Sequence, residues 1–318
     1  MLTNILVLIA GFILLIRGAD YLVKGAASMA RRLGVRAFVV GLTVVAFGTS
    51  APELVVNVLS ATSGSTGLAL GNVLGSNLAN ILLILGIAAI ISPVILHRGT
   101  VWKELPLLLL ASVLVVVLGS DIFFDGSFSN IISRIDGIVL LSFFVIFLYY
   151  THGASKGQSD EHEQIDVYDK KRTAIYLIGG LAGLALGGKF IVDSAVFIAQ
   201  AFSVSEHVIG ATIVAVGTSL PELATTIVAA IKKHTDIAVG NVVGSNLFNV
   251  FFVLGTTVVI RPLAFDHAAW QDAMIVLGIT LILFMSLFVG KRHHFEKWQG
   301  VTFVGMYLAY IVFSVFRG

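Results

Sequence analysis

Two glutamates set in apolar sequence, Glu53 and Glu222, offer the most chemistry in this 318-residue chain. Each stands in a near-identical heptapeptide, GTSAPEL from Gly48 to Leu54 and GTSLPEL from Gly217 to Leu223. On a helix Thr49 lies one turn before Glu53 and Ser50 three residues before it, so both hydroxyls sit beside the carboxylate; Thr218, Ser219 and Glu222 repeat the arrangement. Pro52 and Pro221 lack an amide hydrogen and crowd the carbonyls of Gly48 and Gly217, which predicts a kink with freed main-chain carbonyls. Carboxylate, hydroxyl and carbonyl are hard oxygen donors of the kind Ca2+ takes, whereas transition metals select imidazole or thiolate. The chain has no cysteine. Its histidines, His97, His152, His162, His207, His234, His267, His293 and His294, fall in loops or at the ends of apolar stretches, which argues against a buried zinc site or a histidine proton relay.

A second pair of motifs, GNVLGSNLAN from Gly71 to Asn80 and GNVVGSNLFN from Gly240 to Asn249, places Ser76 with Asn80 and Ser245 with Asn249 at helical i, i+4 spacing. Amide carbonyls are neutral oxygen ligands, so four pieces, two from each half, are expected to close a cage around cations. Asn72, Asn77, Asn241 and Asn246 are expected on other faces, and Gly71, Gly75, Gly240 and Gly244 form small-xxx-small pairs suited to close helix packing.

Such groups need elements that hold them out of water. The chain is 57% hydrophobic and 12% charged, with a mean hydropathy of +0.98, which excludes a soluble enzyme folded around one aqueous core. A net charge of +2 with no long basic run excludes a nucleic-acid surface. Stretches of about 20 apolar residues read as membrane-spanning helices. They run Thr3 to Ala27, Ala37 to Ala61, Leu68 to Ile91, Leu105 to Gly119, Ile135 to Tyr150, Thr173 to Ala201, Val208 to Ile231, Ile237 to Ile260, Ala269 to Gly290 and Trp298 to Phe316. Their continuity, with no period-2 alternation, makes strands unlikely elements. No Lys or Arg precedes Arg17, so the first span lacks a signal peptide's basic flank and is expected to stay in the mature protein.

Glu53 and Glu222 fall mid-span, where burying each acid costs about 2.5 to 3.5 kcal/mol on insertion scales, the mark of a functional group. The breaks after the odd-numbered spans carry fourteen of the 20 Lys and Arg residues and the alternate loops with the C-terminus three, which predicts both termini outside the cytoplasm. The three remaining, Arg17, Lys24 and Lys189, are expected to pair locally, Arg17 and Lys24 with Asp20 and Lys189 with Asp193. Sliding the sequence by 169 positions aligns Gly41 to Pro93 with Gly210 to Pro262 without a gap, and 25 of 53 pairs are identical. Five spans per half, an odd number, predict an inverted-topology repeat, a signature of secondary transporters. The expected organisation is a first five-helix repeat at 1–150, a cytoplasmic linker at 151–172 and a second repeat at 173–318. The linker's Asp160, Glu161, Glu163, Asp166 and Asp169 read as a solvated segment.

With its paired GTSxPE and GNxxGSN blocks in ten spans, the sequence resembles the Ca2+/cation antiporter superfamily, and most closely its prokaryotic sodium/calcium exchangers. The resemblance implies an all-α membrane protein that exchanges Na+ for Ca2+ by alternating access, needs no cofactor and no protein partner, and sits in the cell (inner) membrane. It implies that Glu53 and Glu222 are the central Ca2+ ligands. Thr49, Ser50, Thr218 and Ser219, with the carbonyls of Ala46 and Ala215, would complete Ca2+ and Na+ coordination, and Ser76, Asn80, Ser245 and Asn249 would line the cluster from facing helices. Potassium-dependent members have an aspartate where this chain has Asn249, so two carboxylates are expected here and potassium dependence is not. If three Na+ replace one Ca2+, as the family implies, transport is electrogenic. A proton-coupled Ca2+ exchanger, a cation channel and, more weakly, an intramembrane enzyme are the competing readings of the same residues.

Overall fold

In a bilayer only helices satisfy the backbone of long apolar segments locally, and the computed structural model is helical accordingly. It describes residues 2–126, 129–154, 167–202 and 215–317. The helices are α1 (Leu2–Leu33), α2a (Ala37–Thr49) and α2b (Ala51–Ser63), α3 (Thr66–Ile91), α4 (Thr100–Leu118), α5 (Arg134–Ala154), α6 (Lys170–Ala201), α7a (Ala215–Thr218) and α7b (Leu220–Ile231), α8 (Thr235–Ile260), α9 (His267–Ser286) and α10 (Lys297–Arg317). Among the described residues eight helices are long and apolar enough to cross a membrane, and the α2a–α2b pair, bent by 42°, would make a ninth. The expected seventh span is described only from Ala215; its start at Val208 lies outside the described residues, as do Asp160, Glu161, Glu163 and Asp166 of the linker. The linker is shorter than expected at both ends, because α5 runs on to Ala154 and Asp169 caps α6 by accepting from the Arg172 N–H at 3.1 Å.

Helices α3 and α8 are buried along most of their length, whereas α1, α5, α6 and α10 present an apolar face outward. Both central helices contain a π-helical turn, Ala79–Ile84 in α3 and Phe248–Leu254 in α8, at starts that differ by the repeat offset of 169. Each π turn takes in the expected site asparagine, Asn80 or Asn249, and π turns shift a side chain off the regular α-helical register.

The long helices α1 and α6 run antiparallel with their backbones in contact. Gly11, Gly18 and Gly25 recur every seven residues along α1 and face Gly187, Gly183 and Gly180, and Leu177, in reverse order. A Cβ built on Gly18 would stand 2.7 Å from the Leu184 nitrogen, and one on Gly180 2.6 Å from the Leu22 nitrogen, so the close approach demands glycine.

The described spans are helices as expected, and two short strand clips lie outside them. Strand β1 (Val94–Ile95) pairs antiparallel with β4 (His294–Phe295), and β2 (Ile131–Ile132) with β3 (Leu263–Ala264). Each clip joins one half of the chain to the other. The charges within spans differ from expectation at one point: Asp20 pairs with Lys24 at 2.8 Å, but its second partner is Lys232 at the end of α7b rather than Arg17. The Lys189–Asp193 pair forms at 2.8 Å as expected.

Candidate cation site

The two prolines set the local geometry. With no N–H at Pro52 or Pro221, the helices break one residue before each Ala51–Pro52 or Leu220–Pro221 pair, at Ser50 (φ −83°, ψ 5°) and Ser219 (φ −88°, ψ 4°). Each proline then sits in the first turn of the next helix, and so do Glu53 in α2b and Glu222 in α7b. A carboxylate in a helix's first turn lies against the positive end of the helix dipole, which offsets part of its desolvation.

The structure brings Glu53, Glu222, Ser50, Ser219, Ser76 and Ser245 together. Glu53, Glu222, Thr49, Ser50, Thr218, Ser219, Ser76, Asn80, Ser245 and Asn249 are all buried, with Glu222 fully inaccessible and Glu53 1% exposed. The two halves bond crosswise: the Ser50 hydroxyl donates to Glu222 Oε1 at 2.9 Å, and the Ser219 hydroxyl lies 3.4 Å from Glu53 Oε1. Ser76 meets Ser219 at 3.3 Å, and Ser245 reaches Glu222 Oε1 at 3.4 Å, so the facing helices α3 and α8 join the same cluster. Ser50 and Ser219 are each three residues from their own half's glutamate yet bond the other half's, which brings both carboxylates to one locus.

Glu53 Oε2 and Glu222 Oε2 in this cluster are buried with no hydrogen-bond partner, and so are Asn80 Oδ1 in α3 and Asn249 Oδ1 in α8. An oxygen buried without a donor carries the full penalty of desolvation unless something positive meets it. Two carboxylates and two amide carbonyls are a donor set for hard cations such as Na+ and Ca2+. Among the described residues no three His, Cys, Asp or Glu side chains gather as a transition-metal site would require.

The carbonyl of Ala46, which the resemblance implied as a ligand, already has partners. It accepts the Ser50 N–H at 3.0 Å and lies 3.3 Å from the Thr49 hydroxyl, because the break falls after this turn rather than within it. In the second half the Ser219 N–H goes to Val216 O at 3.2 Å, a tighter turn than its counterpart.

Sequence reasoning set Asn72, Asn77 and Asn241 aside on other faces, but all three bond into the cluster. Thr218 donates to Asn72 Oδ1 at 3.2 Å, Thr49 to Asn241 Oδ1 at 3.1 Å, and Asn249 Nδ2 to Asn77 Oδ1 at 3.2 Å. Asn57 and Thr226, 169 positions apart, hold the two former asparagines from behind. The signal available was the repeat of asparagine itself; Asn57 and Thr226 differ in type and gave none.

A family model described as sodium/calcium exchanger protein matches residues 3–152 and 172–316. The chain belongs to this family. It is 36% identical over 320 residues to the putative antiporter CaxA of Alkalimonas amylolytica, covering 98% of each chain. It is 31% identical over 345 residues to the sodium/calcium exchanger MaX1 of Methanosarcina acetivorans, covering 97% of each. Among solved structures, the sodium-calcium exchanger NCX_Mj soaked with Na+ and Sr2+ matches with a TM-score of 0.84 and 33% identity, over 97% of each chain. This exchanger-family chain is therefore a multi-pass membrane protein of a transporter family, and the buried oxygen cluster lies where its two sequence blocks meet.

Proposed function

We propose that the chain is a secondary antiporter that exchanges Na+ for Ca2+ across the cell membrane by alternating access. In this reading ten spans form two inverted five-helix repeats with both termini outside, and the cell is prokaryotic, its inner membrane the site of action.

The observation that carries the reading is the crosswise bonding of Ser50 to Glu222 and Ser219 to Glu53, with one unpartnered oxygen left on each carboxylate. Glu53 and Glu222 are the central Ca2+ ligands. Thr49, Ser50, Thr218, Ser219, Ser76 and Ser245 supply hydroxyls, Asn80 and Asn249 amide oxygens, and Ala46 and Ala215 main-chain carbonyls. Na+ and Ca2+ compete for overlapping sets of these oxygens, and that exclusion couples the two fluxes.

Motion follows from charge. A cage holding two bare carboxylates resists crossing the apolar barrier between its two open states, and a filled cage does not. The glycine seam between α1 and α6 suits those helices to slide over the cage and open one side at a time. Two carboxylates balance one Ca2+, so a site loaded with three Na+ carries one surplus positive charge, and its crossing is worth about 2.3 kcal/mol per 100 mV.

The test is Ca2+ uptake into proteoliposomes with and without an outward Na+ gradient, with membrane current recorded. The proposal expects uptake that requires the gradient and an outward movement of positive charge as Na+ leaves. Uptake driven by a pH gradient without Na+ indicates the proton-coupled alternative, and Ca2+ flux with no counter-ion a channel; either result ends the Na+/Ca2+ reading.

A further inference from the structure

We infer that Asn72 and Asn241, the leading asparagines of the two GNxxGSN blocks, are positioning residues that turn the hydroxyl oxygens of Thr218 and Thr49 toward the cations. The inference deepens the reading of the buried cluster as the cation site and rests on it.

The two halves build the same relay from the opposite half's threonine. Thr218 Oγ1 donates to Asn72 Oδ1 at 3.2 Å, and Asn72 Nδ2 donates to Asn57 Oδ1 at 2.7 Å. Thr49 Oγ1 donates to Asn241 Oδ1 at 3.1 Å, and Asn241 Nδ2 donates to Thr226 Oγ1 at 3.0 Å and to the Glu222 carbonyl at 3.4 Å. Thr49, Asn57, Thr226 and Asn241 are fully buried, Thr218 and Asn72 nearly so.

A hydroxyl has one proton and two lone pairs, and where the proton points decides what a neighbouring cation meets. If it points into the cage, the cation faces a positive hydrogen; if it is given to an acceptor behind, the cation faces lone pairs. The asparagine oxygen is that acceptor. At Asn241 the end of the amide that faces the threonine is fixed from the far side, because the Glu222 carbonyl accepts only and so demands the NH2 end; Asn72 is held by the amide of Asn57, whose Oδ1 accepts from it and whose Nδ2 has no partner. Reversing either amide would set an NH2 group against the threonine and drive the hydroxyl proton into the cage. Thr49 has two competing acceptors, the Glu222 carboxylate and, at 3.3 Å, the Ala46 carbonyl. By taking the proton, Asn241 also leaves a lone pair of that carbonyl for a cation.

The experiment is titration calorimetry of Na+ and of Ca2+ binding to the full-length chain in detergent. The variants are Asn72→Leu, Thr218→Val and their double, and Asn241→Leu, Thr49→Val and theirs. We expect each asparagine variant to weaken binding about tenfold, the scale of one hydrogen bond. Each double is expected to fall within about twofold of its threonine single, because both changes act through one hydroxyl. Losses that add in the doubles, or a threonine variant that binds like the parent while its asparagine partner does not, would overturn the inference. Where a leucine variant fails to fold, Asn72→Ala and Asn241→Ala remove the acceptor without added bulk and take its place in the same cycles, with the same results upholding or overturning the role. A parent that binds both ions yet exchanges nothing ends the exchange reading and leaves this one in force; a parent that binds neither ends both.

Discussion

The Ser50 hydroxyl donates to Glu222 Oε1 at 2.9 Å, whereas its counterpart Ser219 stands 3.4 Å from Glu53 Oε1 and shares itself with Ser76. The two halves are thus chemically matched but not equal. A hydrogen bond to a charged acceptor contributes about 1.5 to 3 kcal/mol, and its strength falls with distance. Ser50→Ala is expected to weaken Ca2+ activation of exchange by roughly tenfold or more, and Ser219→Ala by clearly less. Half-saturation of uptake in proteoliposomes checks the order; equal effects would contradict it.

The seam between α1 and α6 gives a prediction about motion rather than binding. A Cβ at Gly18 meets the Leu184 nitrogen at 2.7 Å and the Gly180 oxygen at 2.9 Å, main-chain atoms that cannot turn aside. Gly18→Ala is expected to lower turnover about tenfold or more while Na+ and Ca2+ binding stays near the parent's, since the change adds nothing to the oxygen cluster and overpacking a seam costs about 1 to 3 kcal/mol. Gly278→Ala in α9, where a Cβ would touch nothing within 4 Å, is the control and should turn over normally.

Asp272 and Arg317 form a clamp between α9 and α10. Both Nη atoms of Arg317 reach the carboxylate at 2.8 Å, and the Tyr310 hydroxyl adds a bond at 3.3 Å, around an aspartate that is largely buried. Removing one partner of such a pair strands the other. Arg317→Met is therefore expected to destabilise by about 3 kcal/mol, and Arg317→Met with Asp272→Leu by much less. Thermal melts in one detergent compare them; a double variant less stable than the single would contradict the clamp.

Which parts of this arrangement were legible in the sequence follows from which parts are repeated. Glu53 and Glu222, their hydroxyl residues and the break before each proline stand in both halves with the same neighbours, so spacing and symmetry together located them. Asn72 and Asn241 were visible as a repeat but were set aside, although each stands one helical turn before Ser76 or Ser245 on the same stripe; their partners come from the opposite half, which spacing within a half does not encode. Asn57 and Thr226 do equivalent work with different chemistry and left no trace. The Asp20–Lys232 pair, the Asp272–Arg317 clamp and the two strand clips join residues far apart in sequence, and nothing local specifies them. The start of the fourth span was less legible, since a π turn at Thr100–Glu104 continues α4 through Thr100, Lys103 and Glu104, whose polarity suggested a break.

Asn249 bears on ion choice. Its Nδ2 donates to Asn77 while its Oδ1 is left without a donor, so it offers a neutral oxygen where a carboxylate would add charge. Exchange is expected to proceed without K+ and to gain nothing from it, and Na+-driven Ca2+ uptake in K+-free and K+-containing media checks this. Uptake that depends on K+ would contradict the neutral role.

The most direct test removes the charges themselves. With Glu53→Gln or Glu222→Gln the fold should survive, because glutamine keeps the volume and the acceptor oxygen, but a divalent cation stripped of water would face one carboxylate instead of two. Losing that pairing costs on the order of 3 kcal/mol, a factor above a hundred. Na+-gradient-driven Ca2+ uptake by each variant, reconstituted with a melt matching the parent's, is the measurement. Uptake reduced to background in both is what two shared ligands require, and uptake near the parent's level in either would show that the paired acids do not hold the transported ion.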